Sequence, residues 1–464
     1  GTGRRCQSGF QSARGRHLQV KTKVAIIGGG ITGLAASAWL EHDHGIADRV
    51  VIEAGSRPGG KIHSEIDDGF TLEWGPQGFL DNSPDTLELA GIAGLNGELV
   101  RADESAAARY ILRDGKLREV VANPLGFMLS DVLPLGARLR VLGDPFAASK
   151  PDHDETVFVF AARRIGSGAA SVLVDAMVTG VFAGDSRSLS LAATFPRMAA
   201  MEAEHGSLVR ALIARKRAAR QAGASSGGPA GPAGTLTTFR EGMAQLPQAL
   251  ASKAGSHLLL NRSVAGIQRT ASGFMLDAQD ERVEADTVLL CLSAPRAAEL
   301  LAPLAPAAQA PLGQIATSPI AVVMLGYLDA DAFQRPVRGF GFLVPGGEDQ
   351  ILGTLYCHDI FPGQAPDGAL LLRVMVGGTR SPEMVDLDDD ELLAAVRASL
   401  TRILGRDPEP DRRWIVRWPR GISQYTVGHL DRVAAAEDAV RSAGLEIAGS
   451  SYRGVSVNDC IKQA

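Results

Sequence analysis

The stretch from Lys23 to Glu53 constrains the fold of this chain more than any other part of the sequence. An apolar run typical of a buried strand leads into the turn Gly28-Gly29-Gly30-Ile31-Thr32-Gly33, and an apolar helical segment follows. A second strand then ends in Glu53, at the spacing of a βαβ unit that binds a dinucleotide. In such a unit the glycines allow a tight turn, close approach of a pyrophosphate and close packing of helix on strand. The helix N-terminus adds partial positive charge.

The acid at position 53 and the residues after it indicate which dinucleotide fits. A carboxylate suits the ribose hydroxyls of NAD or FAD but would repel the 2′-phosphate of NADP. After Ala54, the chain adds a second glycine pair, Gly59-Gly60, between the cations Arg57 and Lys61. This arrangement resembles the flavin amine oxidase and phytoene desaturase superfamily, in which the loop passes beside the phosphates and ribityl chain. The predicted cofactor is therefore FAD.

Two distant segments favour the same kind of fold. Residues 287–291 form an apolar run typical of a buried parallel strand that returns to the first sheet. Residues 445–449 form another strand, which leads through a loop of small residues into a helix. The expected N-cap of that helix is Asn458 or Asp459, and its N-terminus would favour negative charge on a reduced isoalloxazine.

Six further motifs occur in order along the chain and carry a more specific resemblance. They are EWGPQGF at 73–79, YILRDGKL at 110–117, GVFAGD at 180–185, GFGFLVP at 339–345, QYTVGHL at 424–430 and GVSVNDCI at 454–461. With these motifs the chain resembles the FAD-dependent, oxygen-using protoporphyrinogen oxidases of the bacterial type, from about Lys23 to its last residue.

The resemblance implies an α/β protein of three parts. A discontinuous Rossmann-type FAD-binding domain is expected from residues 22–92, 234–299 and 412–464. A helical, membrane-facing domain is expected at 93–221, and a mixed-sheet substrate-binding domain at 300–411. The Gly, Ala, Ser and Pro content of residues 222–233 predicts a flexible linker. Residues 1–21 are expected to be a disordered extension.

The activity that the resemblance implies is the oxidation of protoporphyrinogen IX to protoporphyrin IX in heme biosynthesis. Six electrons leave in three flavin cycles, with O2 as acceptor and H2O2 as product. No catalytic side chain is predicted, because the flavin N5 accepts the hydride. One alternative is the oxidation of coproporphyrinogen III to coproporphyrin III on the same fold, and another is an amine oxidase or carotenoid desaturase. A non-enzymatic alternative is a flavin-loaded porphyrin carrier.

Candidate site residues follow from the positions that match the family's motifs. Arg109 matches an arginine that meets a substrate propionate, and Phe340, Gly341, Leu343 and Met375 match residues that line the ring-binding cavity. The positions that match the family's FAD contacts are Gly28, Gly29, Gly30, Ile31, Thr32, Gly33, Glu53, Ala54, Lys61, Gly75, Pro76, Gln77, Gly78, Val264, Val455, Ser456 and Val457. No metal site is predicted.

Composition restricts the partners and the compartment. The net charge is −5 and no basic stripe occurs, which disfavours nucleic acid. The four cysteines form no CxxC pair, which favours a reducing compartment without zinc or structural disulfides. No apolar run reaches the ~18 residues of a membrane-spanning helix.

The resemblance implies a cytoplasmic protein held peripherally on the inner membrane. Apolar residues at 123–129 and 132–135 lie beside Arg138 and Arg140, as in a surface contact with lipid, although they would equally suit a helical core. Beyond porphyrinogen, O2 and the membrane surface, the implied partners are a ferrochelatase and a second copy of the chain.

Overall fold

Two seven-stranded sheets hold most of the strands of the chain, and a two-stranded and a three-stranded sheet hold the rest. The structure is a computed structural model that describes residues 18–121, 123–147, 153–221, 234–335, 337–406 and 408–464. The predicted linker at 222–233 and residues 1–17 of the predicted extension lie outside the described residues.

The strands and helices are numbered separately in chain order. The strands are β1 Leu18–Ile27, β2 Arg49–Ile52, β3 Ser64–Asp67, β4 Phe70–Glu73, β5 Phe79–Leu80, β6 Leu99–Arg101, β7 Arg109–Arg113, β8 Lys116–Glu119, β9 Leu236–Phe239, β10 Leu258–Leu259, β11 Val264–Arg269, β12 Phe274–Ala278, β13 Glu281–Leu290, β14 Thr317–Tyr327, β15 Gly341–Leu343, β16 Ile351–Tyr356, β17 Leu370–Gly377, β18 Arg412–Ser423 and β19 Leu445–Ile447. The α-helices are α1 Ile31–His42, α2 Pro84–Ile92, α3 Pro124–Leu129, α4 Leu135–Val141, α5 Val157–Ile165, α6 Ser167–Ala169, α7 Asp175–Phe182, α8 Leu191–Thr194, α9 Pro196–His205, α10 Leu208–Gln221, α11 Gln245–Ala254, α12 Ala294–Leu301, α13 Pro306–Gly313, α14 Cys357–Ile360, α15 Asp389–Leu404, α16 His429–Ser442 and α17 Val457–Lys462.

The first sheet has the strand order β10-β2-β1-β13-β12-β11, and β19 pairs with β13 as well. Its central strands β2, β1, β13 and β19 are parallel, as expected where helices cross between strands. The prediction that the distant segments 287–291 and 445–449 return to the first sheet is confirmed, because β13 and β19 pair directly.

The start of the first sheet differs from the expectation. Residues 18–21, assigned from sequence to a disordered extension, are the first part of β1. They pair in parallel with residues 281–284 of β13. The expectation failed because strand β13 is long enough to extend β1 beyond the βαβ unit, and a long-range partner of this kind leaves no local signal.

The second sheet has the order β18-β14-β17-β16-β15-β7-β8. Its pairs are antiparallel except for β15 with β7, so the predicted large mixed sheet is confirmed. Helix α15 covers one face with a row of buried apolar side chains, among them Leu392, Val396 and Leu400. Asp388 caps this helix by accepting from the backbone N–H of Glu391.

Two predicted domain boundaries differ from the observed strands. Residues 109–119, expected in the helical domain, form β7 and β8 at the edge of the second sheet. Residues 412–423, expected in the FAD-binding domain, form β18 and pair with β14 at the other edge. Both segments complete the second sheet, and backbone pairing with strands distant in sequence decides their place.

Between β8 and β9 the described chain is helical, from α3 to α10, and a buried ionic cluster links α5 with α9. Arg163 donates to Glu202 at 2.6 Å and to Glu155 at 2.5 Å. Arg164 pairs with the same Glu202 and with Asp144. In the part of the chain that the structure describes, no helix combines the length and apolar character needed to cross a bilayer.

Candidate active site

The turn after β1 has the geometry of a pyrophosphate-binding loop. Gly28 has φ of +112°, and a Cβ there would lie 2.5 Å from the carbonyl oxygen of Cys291. A Cβ on Gly33 would lie 2.0 Å from the oxygen of Gly28, so helix α1 packs closely on the turn. At Gly30, in contrast, a Cβ would meet no atom within 4 Å. Open space therefore lies where α1 begins, and Ile31 and Thr32 are its first, buried residues.

Glu53 lies directly beside this turn. One oxygen of its carboxylate accepts from the N–H of Gly29 and the other from the N–H of Gly55, both at 2.7 Å. A carboxylate offers about four lone-pair sites, so it can still accept from ribose hydroxyls. The exposed Ala54 and the backbone N–H of Arg262, which donates to the carbonyl of Glu53, lie on the same side.

The second glycine pair packs on the first. The N–H of Gly59 donates to the carbonyl of Gly29 at 2.8 Å, and a Cβ on Gly60 would lie 3.2 Å from the Cα of Gly30. Next along the chain, the ammonium of Lys61 donates to the carbonyl of Gly421 at 2.5 Å. Burial lowers the pKa of Lys61. Lys61, which follows the second glycine pair, thus places a partly buried cation beside the turn.

The segment Gly75–Pro76–Gln77–Gly78 lies against this cation's backbone and against strand β9. A Cβ on Gly75 would lie 1.9 Å from the carbonyl oxygen of Lys61, and a Cβ on Gly78 would lie 2.6 Å from that of Thr237. The amide of Gln77 donates to the side-chain oxygen of Gln364 at 2.7 Å. A larger side chain at Gly75 or Gly78 would push the 75–78 segment away from Lys61 or from β9. The two glycines therefore allow these backbones to pack closely.

The two remaining predicted cofactor segments are Val264 and residues 455–457. Val264 begins β11, and its carbonyl accepts from Arg296 at 3.0 Å. Val455 and Ser456 precede α17, whose first residue Val457 is buried in one cluster with Ile31 of helix α1. Helix α17 therefore packs on helix α1, which begins at the glycine turn.

The N-cap of α17 differs from the prediction. Ser456, rather than Asn458 or Asp459, is the N-cap, and it forms a capping box with Asp459 at the third helical position. Asn458 instead accepts from the hydroxyl of Thr86 and donates to the carbonyl of Leu80. The sequence carried a signal for this cap, because Ser456 is followed three residues later by the acid Asp459, which is the spacing of a capping box.

The predicted substrate residues lie mainly on one face of the second sheet. Arg109 on β7 is in register with Gly341 on β15. In the next row two residues on, Leu343 and Met375 are each in register with Gly353 on β16. Residues two apart on a strand share a face, so the sheet presents Arg109, Gly341, Leu343 and Met375 together.

Phe340 lies just before β15 and supports the arginine. The guanidinium carbon of Arg109 lies 4.7 Å above the centroid of the Phe340 ring. Burial lowers the pKa of Arg109. Among the described residues this guanidinium has no hydrogen-bond or ion-pair partner. A half-buried cation over an aromatic ring is thus free to take a carboxylate.

Sequence reasoning missed Arg373 and the burial of Glu73. Both lie where β4 and β17 meet, and burial raises the pKa of Glu73 to about 8. Arg373 interrupts the otherwise apolar run LLLRVMV of a fully buried strand. A charge inside such a run was the available signal, since buried charges occur where they have a specific partner.

Comparison with known proteins supports this picture. Residues 31–464 match the family of flavin containing amine oxidoreductases. The chain is 34% identical to protoporphyrinogen oxidase of Bos taurus, covering 95% of this chain and 96% of the relative. It is 33% identical to coproporphyrinogen III oxidase of Propionibacterium freudenreichii, covering 95% and 89%. A crystal structure from Exiguobacterium, assigned there to protoporphyrinogen oxidase, superposes with a TM-score of 0.81 at 27% identity, covering 95% and 96%.

The fold and the site together define a flavin-dependent oxidoreductase. The turn after β1, the acid beside it and the space at Gly30 fit an FAD molecule, and the cofactor of this chain is FAD. The chain belongs to the flavin containing amine oxidoreductase family. In this family's fold the flavin supplies the two-electron redox chemistry, and the protein supplies position, exclusion of water and charge.

Proposed function

We propose that this chain oxidises protoporphyrinogen IX to protoporphyrin IX. The reaction removes six electrons and six protons in three flavin cycles, and three O2 are reduced to three H2O2. The observation that carries the proposal is the free guanidinium of Arg109 at the edge of an apolar sheet face. A flat macrocycle with carboxylate arms needs such a floor and such a cation. Relatives that carry this activity in their names support it.

The FAD placement is part of the proposal. The pyrophosphate would lie at Gly30 and the start of α1, the ribose at Glu53, and the adenine beside Val264. The isoalloxazine would lie between Gly75–Gly78 and the entry to α17. Support comes from the open space at Gly30 and from the close packing of the two glycine pairs.

The test of the substrate role is the substitution Arg109→Ala. It should lower kcat/KM for protoporphyrinogen about tenfold to a hundredfold, because a charge-assisted pair contributes about 1.5–3 kcal/mol. Flavin content should stay full, since Arg109 lies on the second sheet. Anaerobic flavin bleaching and steady-state kinetics measure both quantities.

Two variants control this test. Arg109→Lys keeps the charge but loses the bidentate geometry, so its kcat/KM should lie between those of the parent and the alanine variant. Arg240→Ala removes an exposed arginine paired with Glu98 and should change nothing. Parent-like kinetics of a fully flavinylated Arg109→Ala enzyme would remove the support for the proposal.

Coproporphyrinogen III is the second candidate substrate, because two relatives are named for that reaction. That tetrapyrrole carries four propionates and would need more cations than one. Among the described residues of the shared sheet face, Arg109 is free, whereas Arg373 already donates to backbone carbonyls. This favours the dicarboxylate substrate. Anaerobic bleaching by each porphyrinogen, measured side by side, decides between them.

We also propose that helices α3 and α4 contact a membrane surface, on the cytoplasmic side of the inner membrane. Leu125, Leu129 and Phe146 are 72%, 77% and 89% exposed, which is a high cost in water for side chains of this kind. Arg138 on α4 donates to the carbonyl of Met128 on α3 at 2.6 Å, so a cation lies beside the helix that carries Leu125 and Leu129. Apolar side chains next to cations suit the headgroup region of an anionic bilayer.

Vesicle sedimentation tests the membrane contact. The double variant Leu129→Ser/Phe146→Ser should bind phosphatidylglycerol-containing vesicles at least about fivefold more weakly than the parent, given about 0.8 kcal/mol for each buried methylene. Leu328→Ser, which changes a leucine 56% exposed elsewhere on the surface, is the matched control. Equal binding by all three proteins would contradict the contact.

Two further partners, a ferrochelatase and a second copy of the chain, are supported by the family resemblance alone.

A further inference from the structure

Arg373 lies between the second sheet, which carries it on β17, and the end of β4 with the loop after it. It lies on β17 in register with Leu355 of β16, which is in register with Gly341 of β15. Gly341 in turn pairs with Arg109. The side chain of Arg373 therefore lies on the same sheet face as the proposed substrate residues, three strands away from Arg109.

The guanidinium of Arg373 spans the gap to the FAD-binding side. Its Nε donates to the carbonyl of Glu73 at 3.0 Å, and its Nη2 donates to the carbonyl of Gly75 at 2.6 Å. Its Nη1 faces the sulfur of Met375 at 3.8 Å. The planar fork of arginine is suited to holding two carbonyls at once, which a lysine ammonium on its flexible stem does less well.

The charge on this side chain is buried and has no ion pair within the described residues. Arg373 is 6% exposed, and the carboxyl of the nearby Glu73 forms its hydrogen bonds with Ser64 and Met243 instead. Burying a guanidinium without a paired anion is costly, and an apolar residue would pack there at lower cost. Such a group is expected where its geometry or its charge has a use.

One of the two carbonyls that Arg373 holds, that of Gly75, belongs to the segment 75–78 proposed to flank the isoalloxazine, and the other, that of Glu73, lies two residues before it. That segment is also closed on its other side, because Gly75 packs on the backbone of Lys61. The arginine thus links the floor of the substrate cavity to the backbone beside the flavin. A fixed cation in this place favours the negative charge that a flavin ring gains on reduction.

We propose that Arg373 is a positioning residue that sets the spacing between the 73–78 segment and the substrate sheet and raises the reduction potential of the bound flavin. This role rests on the FAD placement proposed above and does not depend on which porphyrinogen is oxidised. It predicts separate effects for the loss of the charge and for the loss of the two-carbonyl geometry.

Sulfite binding and FAD dissociation test the two effects separately. Sulfite adds to oxidised flavin at N5 and leaves a negative charge on the ring, so its affinity reports on nearby cations. Arg373→Met should bind sulfite on the order of tenfold more weakly and show a more negative midpoint potential. Arg373→Lys should bind sulfite within about threefold of the parent but release FAD about tenfold more readily, because one carbonyl loses its donor.

The matched control is Arg413→Met, which removes an exposed arginine from β18 of the same sheet and should leave both quantities unchanged. An Arg373→Met protein with full flavin, parent-like sulfite affinity and parent-like potential would overturn the electrostatic role. If Arg373→Met does not fold, Arg373→Lys decides, because parent-like FAD release in that variant overturns the positioning role. A parent protein that does not retain FAD would overturn the cofactor placement instead.

Discussion

At the scale of single residues, the glycines of the first turn have different tasks although they are neighbours. Gly28 and Gly33 have no room for a Cβ because backbone oxygens lie within 2.5 Å and 2.0 Å of its position. Gly30 has an ordinary φ of −70° and open space beside it. Folding therefore requires Gly28 and Gly33, whereas only ligand binding requires Gly30.

The substitution Gly30→Val should separate folding from cofactor binding. The variant should lose about 1 kcal/mol of stability, because valine is a poor N-cap, and should purify without flavin. Gly33→Ala, in contrast, should cost on the order of 3 kcal/mol or more through the clash with Gly28. Thermal unfolding and flavin absorbance measure the two effects. A yellow, fully loaded Gly30→Val protein would contradict the assignment of this space to the pyrophosphate.

Glu73 should make stability depend on pH. Burial raises its pKa from 4.5 to about 8, so the folded protein holds a proton that the unfolded chain releases over this range. The free energy of unfolding contributed by Glu73 therefore falls as pH rises from about 4.5 to about 8. Glu73→Gln removes this dependence and should gain about 1–3 kcal/mol relative to the parent between pH 5 and pH 8. Urea unfolding at several pH values measures it, and parallel curves for the two proteins would show that folding does not raise the pKa of Glu73.

At the scale of elements, the loop between β19 and α17 is held by a tyrosine and histidine pair. Tyr425 donates to the carbonyl of Ser450 at 2.8 Å and accepts from the N–H of Gly454 at 2.9 Å. His429 stacks on Tyr425 at 3.9 Å between ring centroids and donates to the carbonyl of Tyr452. Burial lowers the pKa of His429 to about 4, so the ring is neutral at pH 7 and carries its proton on Nε2.

Two buried tyrosines allow a matched test of this loop. Tyr425→Phe leaves a carbonyl and an N–H of the loop without their partner, so it should cost on the order of 2 kcal/mol and speed FAD release. Tyr356→Phe removes a hydroxyl that has no partner among the described residues, so it should be neutral or slightly stabilising. Chemical unfolding and the rate of FAD loss compare the two variants. Equal effects would show that the Tyr425 hydroxyl does not hold the loop.

At the scale of the whole molecule, local patterns predicted the first βαβ unit and the two strands, at 287–291 and 445–449, that return to its sheet. In these parts alternation, glycine spacing and helix caps lie within a few residues of each other. The strands 109–119 and 412–423 could not be placed, because their partners lie far away in sequence. Arg373 was missed for the same reason, since its carbonyl partners lie on β4 and in the loop after it.

The substrate and cofactor positions were predicted from motifs rather than from geometry, and their roles stay predictions. The structure brings Arg109, Gly341, Leu343 and Met375 onto one face and the two glycine pairs into contact. Gln364, which accepts from Gln77, lies outside the motifs, and the motif that contains Glu73 gave no sign that this carboxyl is buried. Contacts between domains depend on the assembled fold, which a linear pattern does not encode.

Helix α17, the last of the described elements along the chain, shares one apolar cluster with helix α1, the first described helix. During synthesis on the ribosome, the nucleotide-binding turn therefore stays half-covered until helix α17 has emerged. Flavin capture is thus a late event in the life of a newly made chain, because the helix that completes the cover of the turn is made long after the turn itself.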